Sequence, residues 1–417
     1  MTHLLLITTL DVEGRRNNRE HHVIRYFKTR YDHITVVYRK RGQANQGILT
    51  LMSPTVDRHS SEGVNYVAVN PPLNPPEGAV RNMTRARSSR FNLPLAAIID
   101  RIGILRDYLT IRALAGAATT ALNAEPNEDV TACEAFGPWA AAAAYRLRSA
   151  GRIKHYVYVD RDFEPGFMTS RARRNWAARA ESRAAAQADL TLSIGHRLAA
   201  RFGDVAQADV SISPTGVDLE TFTPQPRKTP RPDLVFIGQV ADWSGIEEVL
   251  EALVLLRDDH PTRHLTILGP ADDGYRAHIT ALIERLELQN AVDWHGDCPR
   301  DQVAAVLSQA AIGLATFRQH PLRTHAAPLK LLEYMASGLP VIAVAGSEAG
   351  DLIDRHKCGL QCATEASEIS AAIRQMIAYP AAYRTMSDNA IKAVQAYDWE
   401  KILGREHQWL MDMEARR

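Results

Sequence analysis

Short apolar runs alternate with helix-length amphipathic segments almost from one end of the chain to the other. In the first half, HLLLITT (3–9), HITVVY (33–38), VNYVAV (64–69), DVTAC (129–133), IKHYVYV (153–159) and ADLTLS (188–193) read as strands. In the second half DLVFIG (233–238), HLTILG (264–269), AVDWHG (291–296), AIGLAT (311–316) and PVIAVA (340–345) do the same. Helical periodicity covers 94–121, 138–149, 168–187, 246–257, 276–287, 301–309 and 329–337. Near-continuous apolar strands separated by helices predict an α/β fold whose parallel sheets are covered on both faces.

The alternation breaks at SPTGVDLETFTPQPRKTPRP (213–232), which is rich in proline and charge and reads as a linker. The expectation is two Rossmann-like, doubly wound parallel-sheet domains facing a cleft, over 1–213 and 233–396, joined by 214–232. Ligands then sit at the C-terminal ends of the strands. A second irregular stretch, 70–90, carries Arg81, Arg85, Arg87 and Arg90. It reads either as a flexible surface loop or as a peripheral contact with an anionic membrane or a charged acceptor.

Composition narrows the partners. The chain has 417 residues, more than one core usually serves. Its 49 basic and 48 acidic residues give a formal net charge of +1, which argues against nucleic acid as a partner. No apolar stretch approaches the roughly 20 residues that span a bilayer. The N-terminal run lacks the basic start and cleavage site of a signal peptide. Cys133, Cys298, Cys358 and Cys362 include one C-x-x-x-C but no second ligand pair, so neither zinc nor disulfides are expected. These features predict a reduced, cytoplasmic protein.

The chemistry concentrates in PLKLLEYMASGLPVIAVAGSEAGDLI (328–353). Pro328 suits a first helical turn, Leu329, Leu332 and Met335 form an inward stripe, and Gly338 ends the helix. Lys330 stands in the first turn, where the helix dipole disfavours a cation, which points to a nearby anion. A helix N-terminus with a lysine can seat phosphate, and Glu333 one turn on can accept paired hydroxyls. The alternative is a surface helix with an i,i+3 ion pair.

PLKLLEYMASGLPVIA resembles the signature of the retaining GT-B glycosyltransferases, specifically glycosyltransferase family 4. RAESRAAAQADLTLSIGHRLA (179–199), SPTGVDLETFTP (213–224), FIGQVADWSGIEEVLEAL (236–253) and YDWEKI (397–402) resemble further landmarks of that family, in its order. The resemblance implies GT-B architecture, with an acceptor bound mainly by the N-terminal domain and a sugar nucleotide mainly by the C-terminal one. A final helix over 397–417 is expected to pack back on the N-terminal domain. Glu333 matches the second glutamate of the family's E-x(7)-E motif, whose counterpart binds ribose hydroxyls. Leu329, Lys330 and Gly238 are expected beside the nucleotide sugar.

Several positions depart from the family pattern. The first glutamate of the motif is replaced by His325, which either favours a different set of sugar hydroxyls and hints at an unusual donor, or marks a one-residue shift of the motif or a neutral substitution. The cations that usually grip the diphosphate are replaced by Gln239 and Ser244. Lys330, Arg318, Arg323 and backbone N–H groups at 347–350 or 238–246 are then left to stabilise the leaving charge. In the first domain, the loop 10–23 carries Gly14, Arg15, Arg16, Asn17, Asn18, Arg19, His21 and His22, of which Gly14 and Asn17 are expected near the donor. Glu134, Asp160 and Asp162 are expected at strand C-termini and, with His325, are the catalytic candidates. Asp160–Arg161–Asp162 has the form of an Asp-x-Asp metal motif, but a two-domain architecture favours acceptor contact or capping, and no metal is expected.

The resulting expectation is a metal-independent transferase that needs no cofactor. It moves a sugar from a UDP or GDP donor to a small-molecule or glycan acceptor with retention of configuration, in natural-product or surface-polysaccharide biosynthesis. Two rivals remain at this stage: a sugar-nucleotide epimerase on the same fold, and a non-catalytic partner that keeps the fold without turnover.

Overall fold

The structure, a computed structural model, describes residues 2–13, 18–40, 55–73, 93–124, 130–168, 170–225, 233–327 and 329–415. The chain forms two compact units, Met1–Ser213 with Leu403–Arg417, and Pro214–Ile402. Gly14, Asn17, Pro328 and the arginines of 81–90 lie outside the described residues.

In the first unit the strands are β1 (His3–Thr8), β2 (His33–Arg39), β3 (Thr55–Ser61), β4 (Val64–Asn70), β5 (Val130–Phe136), β6 (Val157–Asp160), β7 (Leu190–Ser193) and β8 (Val210–Ile212). They lie in the order β3-β4-β2-β1-β5-β6-β7-β8. Every pair is parallel except the β3–β4 hairpin. The helices are α1 (Arg19–Phe27), α2 (Leu93–Ala124), α3 (Pro138–Ser149), α4 (Arg171–Gln187) and α5 (His196–Ala199). Leu5, Ile7, Val37 and Val69 pack with Leu114 and Ala118 of α2 and Ala140 and Ala144 of α3, the apolar layer that parallel strands require on a covered face.

The second unit holds β9 (Asp233–Ile237), β10 (His264–Leu268), β11 (Val292–Gly296), β12 (Ile312–Ala315), β13 (Val341–Val344) and β14 (Gly359–Cys362). Their order, β11-β10-β9-β12-β13-β14, is the doubly wound one, with the chain reversing direction between β9 and β12. Its helices are α6 (Ile246–Leu255), α7 (Asp273–Arg285), α8 (Arg300–Gln309), α9 (Pro321–His325), α10 (Leu329–Ala336), α11 (Glu348–His356), α12 (Ala366–Ala378) and α13 (Pro380–Val394). A last helix, α14 (Trp399–Ala415), begins in the second unit and ends in the first.

Three strands were not signalled by hydropathy: β3, exposed along its whole length, and the short β8 and β14. The expected loop 10–23 is half helix, because α1 starts at Arg19. The expected strand 129–133 continues as β5 to Phe136, so Glu134 lies inside it and not after it.

At the reversal, β9 and β12 pair only through Leu234–Ile312 and Val235–Gly313. Beyond that point the fully buried Tyr334 of α10 bridges them, its hydroxyl accepting from the Ile237 amide at 2.8 Å and donating to the Leu314 carbonyl at 3.3 Å. A Cβ on Gly313 would lie 2.5 Å from the Tyr334 ring, so glycine is required where the ring crosses the strand. Tyr334→Phe leaves a buried amide and carbonyl short of a partner. It is expected to cost about 1–3 kcal/mol, measured by urea unfolding.

Candidate active site

In the second unit the C-terminal ends of β9 and β12 present the turn Gly238–Gly245, the segment from Thr316 to His325, and the first turns of α10. Gly238 has φ +121°, a conformation that suits glycine, and a Cβ there would stand 3.7 Å from Lys330 Nζ. The Lys330 ammonium lies over the Phe236 ring, 3.8 Å from its centroid. Burial, then the charge of Arg323, pulls its pKa down to about 7, with Glu333 opposing. Arg323 is stacked 3.3 Å above the centre of the Trp243 ring. Leu329, which precedes the lysine, is partly exposed.

Glu333 is 6% exposed and its Oε1 is 3.3 Å from Arg300 Nη1. Burial raises its pKa, and Arg300 and then Lys330 work against that rise. Arg300 also lies 5.0 Å from the Phe222 ring centre. The carboxylate is thus held beside a cation from α8, with the Lys330 charge of its own helix acting in the same sense.

The remaining second-unit candidates divide by what they touch. Arg318 is engaged within the fold: its Nε donates to Glu248 at 2.6 Å and its Nη2 to Glu247 at 3.0 Å, both on the first turn of α6. Ser244 is fully buried and closes its own turn, donating to the Ala241 carbonyl at 2.6 Å. Gln239 is exposed. The amides of Gly238 and Val240 donate to the carbonyls of Leu268 and Pro270, at 2.8 and 2.9 Å. At the start of α11, Ser347 caps the helix by accepting from the Gly350 amide at 3.0 Å. The amides of Gly238, Val240 and Gly350 are therefore used by the fold.

His325 stands on α9 with Nδ1 2.7 Å from the Pro321 carbonyl oxygen. Thr324 Oγ1 lies 3.3 Å from the same nitrogen.

In the first unit the candidates are built into the interior. Asp160 is fully buried, receiving Ser193 Oγ at 2.5 Å and Arg201 Nη2 at 2.9 Å. Arg201 also pairs with Glu181, whose pKa is pushed up to about 8, chiefly by burial. Asp162 is exposed, so the two carboxylates of the Asp-x-Asp triplet do not converge. Among the described residues no cluster of three His, Cys, Asp or Glu side chains could hold a metal. Arg19 of α1 is buried and pairs with Glu406 of α14, and donates to Ser213 at 2.9 Å. His21 Nε2 contacts the Val12 carbonyl at 2.7 Å.

Glu134 is fully buried beside this cluster, and neither of its oxygens has a hydrogen-bond partner. Burial and then Glu406 raise its pKa, against the pull of Arg19.

Hydropathy passed over Arg300, Trp243 and Tyr334. Tyr334 falls outside the apolar stripe read for its helix, and nothing in the local sequence ties Arg300 to a glutamate 33 positions on.

Two parallel α/β sheets of this order, in two units, define a GT-B-like fold. Solved structures share it: sucrose-phosphate synthase of Thermosynechococcus elongatus aligns over all of both chains at TM-score 0.70 and 17% identity. Anabaena HepE in complex with UDP aligns over 98% of this chain and 99% of its own at 0.65 and 16%. Residues 218–393 match the family model "Glycosyl transferases group 1". The "Putative colanic acid biosynthesis glycosyltransferase WcaL" of Escherichia coli K12 is 26% identical over 280 residues, 65% of each chain. The GDP-mannose:cellobiosyl-diphosphopolyprenol alpha-mannosyltransferase of Xanthomonas campestris is 25% identical over 208 residues, 48% of this chain and 52% of its own. The chain thus spans under two thirds of the length of these relatives, and the findings together support the glycosyltransferase group 1 family. Among the described residues no helix is long and apolar enough to cross a membrane.

A carboxyl held neutral in the folded chain keeps a proton that the unfolded chain releases above its ordinary range, so stability falls as pH rises across that interval. Glu134→Gln removes this slope. The variant is expected to gain about 1–3 kcal/mol relative to the parent between about pH 5 and pH 8, read from urea midpoints at each pH.

Proposed function

We propose that the protein transfers a sugar from a nucleoside-diphosphate donor, UDP- or GDP-linked, to a small-molecule or glycan acceptor with retention of configuration. The observation that carries this reading is the pair Lys330 and Glu333 at the reversal point of the second unit's sheet. One side chain is a cation short of charge compensation; the other is a buried carboxylate fixed by Arg300. A diphosphate satisfies the first, and vicinal ribose hydroxyls donate to the second. The UDP of the HepE complex and the GDP-mannose in the Xanthomonas enzyme's name fit the same donor class.

In this reading no side chain acts as nucleophile. The acceptor attacks from the side the diphosphate leaves, and the departing phosphate takes its proton. Lys330 and Arg323 offset the negative charge that grows on the leaving group, the step where fixed charge lowers a barrier most. His325 hydrogen-bonds a donor-sugar hydroxyl. Of the acid–base groups the epimerase alternative would use, Glu134 and Asp160 are enclosed in the interior of the first unit and Asp162 is exposed.

UDP, GDP, TDP and ADP are to be compared by thermal shift on the full chain, with stabilisation by UDP or GDP expected and none by any of the four contradicting the reading. Glu333→Ala is expected to weaken nucleotide binding about tenfold or more, and Lys330→Ala to weaken the diphosphate more than the nucleoside, both by calorimetry. Equal loss for diphosphate and nucleoside would make the Lys330 effect structural. Because the free lysine titrates near neutrality and a bound diphosphate favours its charged form, binding at about pH 8 should take up close to one proton. Calorimetry in two buffers of different ionisation enthalpy reads that uptake directly, and affinity should fall as pH rises above about 7.

A further inference from the structure

Helix α2 lacks the polar outer face of a surface helix. Over Leu93–Ala124 its charged side chains are Asp100, Arg101, Arg106, Asp107 and Arg112 alone. A helix laid on a sheet normally turns a charged arc to water, and one that is apolar all round is normally enclosed. Contacts with Arg173 of α4 fix which side of α2 faces inward. That guanidinium lies 2.8 Å from Asp107 Oδ2, and so close to Gly103 that a Cβ there would stand 2.8 Å from its Nη1. Leu114 and Ala118, buried in the core cluster, continue the same side. Ile102, Leu105 and Tyr108 are left on the outside, 41%, 48% and 43% exposed.

The charges are sorted about that apolar line. Asp100 stands two helical turns before Asp107 and so shares its inward side. Arg101 and Arg112 flank Leu105 on one margin, both exposed, and Arg112 Nη1 is 3.5 Å from the Tyr108 hydroxyl. Arg106 borders Ile102 on the other margin, its side chain 25% exposed. The charge on the outward arc is therefore all cationic, and its occupant must offer apolar depth beneath a negative surface. A second copy of the chain does not. An antiparallel pairing of two such helices sets Arg101 of each copy against Arg112 of the other, a parallel one sets each arginine near its own equivalent, and like charges meet either way.

We propose that the outward face of α2 around Leu105 is a docking surface for an anionic lipid bilayer. Ile102, Leu105 and Tyr108 enter the acyl boundary, and Arg101, Arg106 and Arg112 meet the lipid phosphates. α2 joins the parallel strands β4 and β5 and runs against them, so its first half lies toward their C-terminal ends. Docking brings to the lipid the end of the sheet at which doubly wound folds bind ligands. The surface does not depend on the transferase reading.

The test uses the full chain and vesicles of equal parts phosphatidylcholine and phosphatidylglycerol, with pure phosphatidylcholine as the neutral control, read by co-sedimentation. Partition onto the anionic vesicles is expected to exceed that onto the neutral ones about tenfold or more and to fall with added salt. It is expected to weaken about tenfold or more in Leu105→Glu and in the double variant Arg101→Gln/Arg112→Gln. All three positions are exposed, so melting temperature and nucleotide affinity should not change. Should Leu105→Glu melt lower, Leu105→Gln carries the comparison. A parent that stays in solution with both vesicles, that binds both equally, or whose binding Leu105→Glu leaves intact overturns the surface. A parent dimer in sedimentation velocity that Leu105→Glu makes monomeric gives the face to a second copy instead. Capture of polyglutamate as tight as that of the anionic vesicles, and lost in Leu105→Glu, gives it to an acidic protein; either result overturns the lipid assignment.

Discussion

The second unit's site depends on a gap in a β-ladder and on the one hydroxyl that spans it. Doubly wound sheets must part where the chain reverses, and the parting strands leave backbone groups without partners. Here Tyr334 supplies both the donor and the acceptor, and Gly313 makes room for its ring. Because Tyr334 sits in the middle of α10, the same contact fixes the helix that carries Lys330 and Glu333. The groups proposed to meet the donor are therefore positioned by a residue whose own hydroxyl is used by the backbone.

Charge placement explains why so few cations remain near that gap. Arg318 lies on the ligand-bearing side of the sheet, yet it is drawn to Glu247 and Glu248 at the start of α6, where the helix dipole already favours acids. Arg300 is spent on Glu333. The charge of Arg323 adds to burial in lowering the basicity of Lys330.

The α/β alternation, both parallel sheets and the helix–strand unit around Glu333 were legible because apolar periodicity reports burial. What escaped was burial achieved by pairing. Helix α1 reads as a charged loop, yet Arg19, Glu20 and His22 are buried in it, with Arg19 matched to Glu406 nearly the whole chain away. Asp160 looked available at a strand end, and Arg201 and Ser193 enclose it. Ser244 stood where a diphosphate cation is usual and proved to be a turn residue. The hairpin strand β3 has no inward apolar face to detect, and its turn rests on Glu62 and Gly63, both at positive φ, a pairing that composition alone does not flag.

That hairpin also governs how copies of the chain behave when crowded together. A parallel sheet ends in rows of unpaired amides that recruit strands from neighbours. On one flank of the first sheet the row belongs to Thr55–Ser61, a strand with a single apolar side chain, Val56, and alternating charge at Asp57 and Arg58. On the other flank β8 is three residues long, too short to template much. Growth of the sheet by accretion is thereby discouraged at both margins.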